Sequence, residues 1–281
     1  MQAREIKNIV AARPATEGAG VKIKRLTGFA QHLRMDPFLM LDEIHSDNKD
    51  EYAAGFPPHP HRGFETVTYM REGGFSHEDS MGNRGSIARG GAQWMTAGSG
   101  VIHSEMPVAD AESMHGFQFW LNLPAKEKMR KPEYRDIQAE EIAELTQQDA
   151  RIRLIAGEIV VEAKKIQGAV VGKSTQPLIA DVILPAEREI TISYSSQIAS
   201  QFYVYKGAVS VGDKAVSAGS LAYLSEGDSL ELKAGADSGL LLFGGEPINE
   251  PVAHYGPFVM TTDEQIAQAV EDYRSGTLVQ K

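Results

Sequence analysis

The stretch Phe117-Gln118-Phe119-Trp120-Leu121-Asn122-Leu123 gives the clearest indication of how this chain folds. Its odd-numbered residues are all apolar and its even-numbered residues are mostly polar, which is the period of two expected of a half-buried β-strand. The run stops at Pro124, because proline cannot donate a hydrogen bond to a neighbouring strand. The pattern therefore predicts a strand over residues 117–123.

Runs of the same kind recur along the chain and are separated by turn residues. The 27 glycines and 13 prolines fall between short apolar runs, which is typical of an all-β sandwich or barrel. Gly212-Asp213 suits a tight hairpin turn, because glycine adopts a positive φ without steric cost. Further strands are predicted over residues 201–206, 208–211, 215–218, 229–233 and 239–243.

Helical patterns are few. Residues 263–274 place Ile266, Val270 and Tyr273 at helical spacing on one face, and Gly276 follows as a stop signal. This pattern predicts a helix near the C-terminus.

The chain is long enough for about two domains. The segment 126–148 is rich in charge and poor in strand-forming residues, and a second short helix is predicted over residues 139–148. We therefore expect one domain over residues 1–138 and another over residues 139–281, which carries the C-terminal helix.

Composition and charge exclude several classes of function. With 28 basic and 38 acidic residues the net charge is −10, which repels nucleic-acid phosphates and anionic membranes, so direct binding to either is not expected. The chain has no cysteine, which excludes disulfides, thiolate metal ligands and a cysteine nucleophile. Any metal must therefore be held by nitrogen and oxygen atoms.

The sequence shows no pattern of membrane insertion or export. The first eight residues carry charges of both signs and no apolar stretch, unlike a secretory signal. Aliphatic runs are far shorter than the roughly 20 residues that a membrane span needs. The expectation is a soluble cytoplasmic protein, with a monomer as the simplest state.

A first pair of potential ligands lies in a proline-rich stretch over residues 55–65. His59 and His61 are two residues apart, so their imidazoles face the same way on an extended strand. Pro60 restricts His59 to extended geometry, which reduces the ordering entropy lost on metal binding. Taken alone, the pair fits a metal site and a surface loop equally well.

A second pair follows a glycine-rich turn. His103 and Glu105 are again two residues apart, and Gly98 and Gly100 suit a bulge or a tight corner before them. Three imidazoles and one carboxylate on adjacent strands would form a mononuclear site with room for water, O₂ or substrate. The alternative for Glu105 is a solvated strand residue.

Residues 59–69, 94–105 and 115–124 resemble the pirin family, a branch of the cupin superfamily. Residues 244–251 and 256–260 resemble the C-terminal end of that family. The resemblance spans nearly the whole chain, and its N-terminal motifs are highly specific.

The resemblance implies two cupin-type barrels (double-stranded β-helices, or jelly rolls) packed face to face. It implies one metal in the N-terminal barrel only, held by His59, His61, His103 and Glu105. Iron is usual in the family, so Fe²⁺ is expected, although such donors also suit Zn²⁺, Mn²⁺, Ni²⁺, Co²⁺ and Cu²⁺. The C-terminal half has a single histidine, His254, and its barrel is expected to be structural.

The remaining titratable residues near these motifs are not expected to bind the metal. Glu65 shares the strand parity of the first pair and is expected beside the site or in the core. His115 is expected to be a buried, hydrogen-bonded histidine, and His77 a solvated residue at a polar hairpin tip. His32 and His45 have no partner at ligand spacing.

The resemblance also implies two kinds of function. Family members are associated with quercetin 2,3-dioxygenase activity, which cleaves the flavonol's heterocyclic ring with O₂ and releases carbon monoxide. Glu105 is then the expected base for the 3-hydroxyl proton. Other members are non-enzymatic, metal- or redox-dependent regulators that bind a transcription factor or a metabolic enzyme. The partners expected are therefore a small aromatic substrate with O₂, or a protein; a metal-free barrel pair is a third possibility.

Overall fold

A computed structural model describes residues 2–27, 29, 35–109 and 111–279, and most of its elements are β-strands. Short 3₁₀ helices lie at Lys49–Glu51, Ala125–Glu127 and Ala139–Glu141. The strands before residue 140 are β1 (Ile6–Ala11), β2 (Arg13–Glu17), β3 (Val21–Thr27), β4 (Phe38–Ser46), β5 (Phe56–His61), β6 (Phe64–Glu72), β7 (Phe75–Asp79), β8 (Arg84–Ile87), β9 (Ala92–Thr96), β10 (Val101–Pro107), β11 (Met114–Asn122) and β12 (Glu133–Ile137).

The rest of the chain continues in the same way and ends in the helix α1 (Asp263–Arg274). Among the described residues, no helix has the length and apolar character needed to cross a bilayer. The strands are β13 (Ala143–Gln147), β14 (Ala150–Ala156), β15 (Glu158–Val161), β16 (Lys164–Gln167), β17 (Leu178–Leu184), β18 (Glu189–Ser193), β19 (Ala199–Lys206), β20 (Ala208–Val211), β21 (Lys214–Ser217), β22 (Ser220–Leu224), β23 (Ser229–Ala234), β24 (Ser238–Gly245), β25 (Ala253–Tyr255) and β26 (Phe258–Met260).

The chain forms two compact units. The described residues of the first unit come from Arg13–Arg34, Phe38–Ala139 and Ile248–Lys281. Those of the second unit come from Met1–Ala12, Met35–Pro37 and Glu140–Pro247. The expected division into residues 1–138 and 139–281 therefore differs from the structure at both ends of the chain.

Local packing explains both differences. Strand β1 pairs with β22 and extends a sheet of the second unit. Helix α1 buries Ile266 and Ala269 in a cluster with Phe258, Met260 and Leu278, which belongs to the first unit. The amphipathic pattern of a helix shows that one face must be buried, but not which sheet will cover it.

The first unit contains two main antiparallel sheets and the two-stranded sheet β25-β26. The larger has the strand order β12-β9-β6-β11-β4-β3-β2, and the smaller has the order β5-β10-β7-β8. Both pairs of potential ligands lie in the smaller sheet, on the neighbouring strands β5 and β10.

The second unit also has two main sheets. Their orders are β1-β22-β19-β24-β17-β14-β13 and β16-β15-β18-β23-β20-β21. Its core is a cluster of buried aliphatic and aromatic residues that includes Leu154, Phe202 and Leu242.

Most of the elements predicted from sequence are confirmed. Strand β11 contains the alternating stretch, and Phe117, Phe119 and Leu121 are fully buried. Strands β19, β20, β21, β23 and β24 lie within one or two residues of the predicted ranges. The hairpin turn between β20 and β21 has Gly212 at φ +54°.

Helix α1 spans the predicted residues. Thr262 caps its first turn by accepting a hydrogen bond from the backbone of Gln265, whose side chain bonds back to the cap. Ile266 is buried as expected, whereas Tyr273 is exposed and Ala269 takes the buried position instead.

The helix predicted over residues 139–148 is wrong. Only Ala139–Glu141 is helical, and the following residues form β13, which pairs with β14. Gln148 and Asp149 adopt positive φ angles of 46° and 68°, which close a two-residue hairpin turn. Pairing with β14 therefore overrides the weak local helix propensity of this segment.

Candidate metal centre

Pairing of β5 with β10 brings the two ligand pairs together. His59 lies directly opposite His103 in the antiparallel register, and a bulge separates His103 from Glu105. The turn before β10 contains Gly98 at φ +51° and Gly100 at φ +142°. Residues other than glycine rarely adopt these backbone conformations. The tight corner predicted from these glycines is confirmed.

Three imidazoles converge on one point. One ring nitrogen from each of His59, His61 and His103 lies within 4.8 Å of the other two. The ring centroids are separated by 4.7 Å, 4.4 Å and 4.9 Å for the pairs 59–61, 59–103 and 61–103. The separation suits three nitrogen ligands around a single small ion.

The protonation of two of these rings follows from their hydrogen bonds. His59 Nδ1 lies 2.8 Å from the carbonyl oxygen of Pro57, and His61 Nδ1 lies 3.4 Å from that of Pro257. Because a carbonyl oxygen only accepts, each Nδ1 donates, and the lone pair of the neutral ring is then on Nε2.

His103 provides the test of whether a metal fits. Its side chain is buried, and its Nε2 has no hydrogen-bond partner among the described residues. A buried polar atom without a partner is costly, and a metal ion would satisfy this nitrogen. Burial, together with the neighbouring imidazoles, lowers the pKa of His103 well below its usual value, as it does the pKa of His61. Both rings are therefore neutral at pH 7, the form that binds metals.

Glu105 is buried but is not part of this group of three. Its Oε1 accepts a hydrogen bond of 3.0 Å from Thr68 Oγ1, and its Oε2 accepts one of 2.7 Å from Gln118 Nε2. The alternative of a solvated strand residue is wrong, because these two donors hold the carboxylate inside the unit. Glu65 is also buried and accepts a hydrogen bond from Thr96 Oγ1.

A cavity of about 700 Å³ opens onto His59 and His61. Aromatic rings form much of its wall: those of Phe29 and His254 stack with centroids 3.9 Å apart, and Trp120 meets His61 edge-on at 5.4 Å. The volume lies in the range typical of pockets for small organic ligands.

A fixed ion-pair network forms the polar part of the cavity wall. Arg25 donates two hydrogen bonds to the carboxylate of Asp42, at 2.8 Å and 2.6 Å, and a third of 2.5 Å to Glu17. The bidentate geometry holds the guanidinium in one orientation. The cavity therefore combines flat aromatic walls with a rigid polar edge.

His254 lies in the first unit rather than in the second barrel. Strand β25 carries it to the wall of the cavity, where its Nε2 bonds the carbonyl oxygen of Gly256 at 2.9 Å. The expectation that His254 belongs to the C-terminal barrel is therefore wrong. It failed because the final segment of the chain returns to the first unit.

The expectation for His77 is also wrong. Its side chain is fully buried rather than solvated, because β7 pairs with the other edge of β10 and places His77 opposite Glu105. Its ring stacks on Tyr134 at 4.3 Å and lies 5.2 Å from the ring of His103. Phe75 and His77 share the parity of one buried face, which is the signal in the sequence that could have placed it.

The expectation for His115 is confirmed: it is buried, and its Nε2 bonds Glu43 Oε1 at 3.2 Å. His45 does have a partner, since it stacks on His115 at 4.2 Å and joins Glu43 in a second group with ligand atoms within 4.8 Å of one another. Arg71 donates to the other nitrogen of His115 and Lys24 pairs with Glu43, so this group is a hydrogen-bonded network with cations around it. The expectation for His32 lies outside the described residues.

Comparison with known proteins decides the family. Residues 20–121 match the family model "Pirin", and residues 179–279 match the model "Pirin C-terminal cupin domain". A Vibrio cholerae protein provisionally named quercetin 2,3-dioxygenase is 46% identical over 274 residues, covering 97% of each chain. The chain belongs to the pirin family.

Two further relatives show the breadth of the pirin family. Human pirin is 37% identical over 273 residues, covering 95% of this chain and 91% of the human protein. A crystal structure of a quercetin 2,3-dioxygenase from Acinetobacter baumannii superposes with a TM-score of 0.89 at 31% identity, covering 98% of each chain. The expected all-β fold with two cupin domains is thereby confirmed.

Proposed function

We propose that this pirin is a mononuclear metal dioxygenase that opens the heterocyclic ring of a flavonol, in the manner of a quercetin 2,3-dioxygenase. The observation that carries the proposal is the convergence of three imidazoles, one with a buried and unpartnered Nε2 among the described residues, beside a cavity with aromatic walls. The names of the Vibrio and Acinetobacter relatives support the same reaction.

We assign the metal ligands to His59, His61, His103 and Glu105. A carboxylate offers about four lone-pair sites, and the hydrogen bonds from Thr68 and Gln118 use two of them, so Glu105 keeps capacity for a metal bond. Fe²⁺ is the ion proposed, following the family resemblance, and the donor set also suits Zn²⁺, Mn²⁺, Ni²⁺, Co²⁺ and Cu²⁺.

A divalent ion at this position supplies a Lewis acid for an enolate or phenolate oxygen and a coordination position for O₂. The rings of Phe29, Trp120 and His254 orient a planar aromatic substrate in the cavity. Gln118 lines the cavity and holds the carboxylate of Glu105, which accepts the proton of the flavonol 3-hydroxyl group. Flavonol and O₂ then give a ring-opened ester and carbon monoxide. These two products together contain all the oxygen of the flavonol and both atoms of O₂.

The test is turnover of quercetin by protein of known metal content. Metal-free protein reconstituted with Fe²⁺ should bleach the flavonol absorbance band under O₂, and the metal-free sample should not. No bleaching with Fe²⁺ or with any of the other five ions would reject the reaction and favour metal-dependent binding of a protein partner. A pull-down whose captured proteins change with iron oxidation would then test that function.

Replacing Glu105 with glutamine should lower turnover by about 100-fold or more, because the amide cannot accept the substrate proton. Loss of the carboxylate should also weaken metal binding, so kcat is measured at saturating metal, with the content checked by elemental analysis. Glu65→Gln is the matched control, since Glu65 is a buried carboxylate of the same unit that accepts from a threonine. Unchanged turnover of Glu105→Gln at equal metal content would place the base elsewhere.

A further inference from the structure

A buried series of side chains links His103 to a carboxylate on β7. His103 Nδ1 lies 3.5 Å from His77 Nδ1, and His77 Nε2 lies 3.4 Å from Asp79 Oδ2. The side chains of His77 and Asp79 are both fully buried. His77 joins the two ends of the series, since one of its ring nitrogens faces His103 and the other faces Asp79. The positions of the protons can therefore be worked out from the carboxylate inward.

Asp79 acts only as an acceptor. Its Oδ1 accepts from the backbone N–H groups of Met81 and Asn83 at 2.9 Å and 3.0 Å, and its Oδ2 accepts from Asn83 Nδ2 at 2.7 Å. Each of these three contacts places a donor against the carboxylate, so Asp79 serves as an acceptor toward all of them. The nitrogen of His77 that faces it must therefore carry a proton.

The remaining assignments follow from the chemistry of imidazole. A neutral histidine has one protonated nitrogen and one bare nitrogen, so protonation of His77 Nε2 leaves His77 Nδ1 as an acceptor. His103 Nδ1 must then donate to it. The lone pair of His103 is consequently on Nε2, the nitrogen that has no partner among the described residues.

We propose that Asp79 and His77 are positioning residues that fix the tautomer of His103, so that its Nε2 presents a lone pair to the metal. This inference rests on the proposed metal centre, but not on the reaction catalysed there. We refer to Asp79, His77 and His103 as the relay. Tyr134 stacks on His77 at an interplanar angle of 24°, which restricts the orientation of the His77 ring. Partners of this kind orient metal-bound histidines and raise metal affinity.

The relay explains why a carboxylate is needed behind His77. His59 and His61 each donate to a backbone carbonyl, which accepts in every circumstance. His77 could present either a donor or an acceptor to His103, because both of its tautomers are accessible. Asp79 selects one of these two tautomers, because its carboxylate requires a donor at His77 Nε2 and so leaves Nδ1 as the acceptor.

Asp79→Asn tests the relay. Two backbone N–H groups hold the Oδ1 position, so the asparagine oxygen should stay there and its NH₂ group should face His77 Nε2. The side-chain amide of Asn83, which donates to Oδ2 in the wild type, should turn so that its oxygen accepts from this NH₂ group. His77 would then accept at Nε2 and donate from Nδ1, and His103 would carry its proton on Nε2, where the metal should bind. The expected result is a loss of about 10–100-fold in affinity for Zn²⁺, measured by competition with a chelator.

Nitrogen NMR of the metal-free protein gives a readout that a purely structural role would not move. Wild-type His103 should show the Nδ1–H tautomer, and Asp79→Asn should shift it toward Nε2–H. Glu78→Gln is the matched control, since it removes a carboxylate from an exposed position on the same strand and should keep wild-type affinity. His77→Phe is a second variant, which preserves the stack on Tyr134 but removes both nitrogens, and it should also weaken Zn²⁺ binding.

The outcomes separate the relay from the metal centre. Wild-type Zn²⁺ affinity in both Asp79→Asn and His77→Phe would overturn the relay, as would an Nε2–H signal from His103 in the wild type. Absence of Zn²⁺ binding by the wild type would reject the metal centre itself, and the relay with it. Weaker binding by both variants together with the tautomer shift would support the relay even if quercetin is not turned over.

Discussion

Replacing His103 with alanine should lower metal affinity by about 100–1,000-fold. A four-ligand protein site binds its ion with roughly 10–16 kcal/mol, so each ligand contributes about 3 kcal/mol on average. His103 Nε2 is also buried without a hydrogen-bond partner among the described residues, so water cannot easily replace the lost imidazole. The measurement is metal content after dialysis against a weak chelator, together with Zn²⁺ titration.

Thermal unfolding gives an independent measure of the same effect. An ion present at about 100 times its dissociation constant stabilises the folded state by about 2.7 kcal/mol, so added Zn²⁺ should raise the Tm of the wild type by several degrees. The same addition should leave the Tm of His103→Ala unchanged.

His45→Ala is the control for this experiment because it distinguishes the two histidine groups of the first unit. His45 belongs to the group with Glu43 and His115, and His103 belongs to the group with His59 and His61. Loss of metal from His45→Ala, with retention by His103→Ala, would move the site to the other group and contradict the assignment.

The shared orientation of His59 with His61, and of His103 with Glu105, was predictable because strand parity is a local property. Residues two apart point to the same side of a strand, and glycine or proline before each pair marks where the strand begins. Pairing between β5 and β10 was not predictable from these patterns, since it joins residues about 40 apart and no tight turn links them. The family resemblance implied one metal held by residues of both strands, and the structure brings His59, His61 and His103 together.

Two parts of the site could not be predicted from the sequence, because their positions depend on long-range packing. His77 is followed by Glu78 and Asp79, so its surroundings in the sequence are polar although its strand is covered on both edges. The C-terminal segment contributes His254 and the carbonyl of Pro257, which orients His61. The amphipathic pattern of residues 263–274 predicts a helix, but it does not show that the C-terminal segment packs in the first unit.

A buried arginine, Arg62, links the C-terminal segment to the rest of the first unit. Arg62 donates to the carbonyl of Ser99 at 2.6 Å, to Asp272 on α1 at 2.6 Å, and to the carbonyl of Leu278 at 3.4 Å. Arg62 directly follows His61, so the same residue that anchors α1 also fixes the end of the ligand-bearing strand β5. One residue therefore contacts the C-terminal segment and directly follows the strand that carries His59 and His61.

Loss of a buried amine should have the largest effect on stability: Lys128→Met should destabilise the first unit by about 3–5 kcal/mol. Lys128 Nζ donates to the carbonyl oxygens of Gly63 and Val259 at 2.8 Å and 3.1 Å, and to Asn122 Oδ1 at 2.5 Å. Methionine fills similar space but leaves these buried acceptors without that donor. Urea unfolding followed by tryptophan fluorescence measures the effect, because both tryptophans of the chain, Trp94 and Trp120, lie in the first unit.

The pH dependence distinguishes loss of this amine from a simple packing defect. Burial lowers the pKa of Lys128 to about 7, from an ordinary value of 10.5, so between these values the folded state binds fewer protons than the unfolded state. The stability contributed by this residue therefore rises with pH, and the gap between wild type and Lys128→Met should widen from pH 7 to pH 9. Lys126→Met, at an exposed position two residues away, should unfold within about 0.5 kcal/mol of the wild type at both pH values. An equal gap at pH 7 and pH 9 would show that the contribution of Lys128 is one of packing alone.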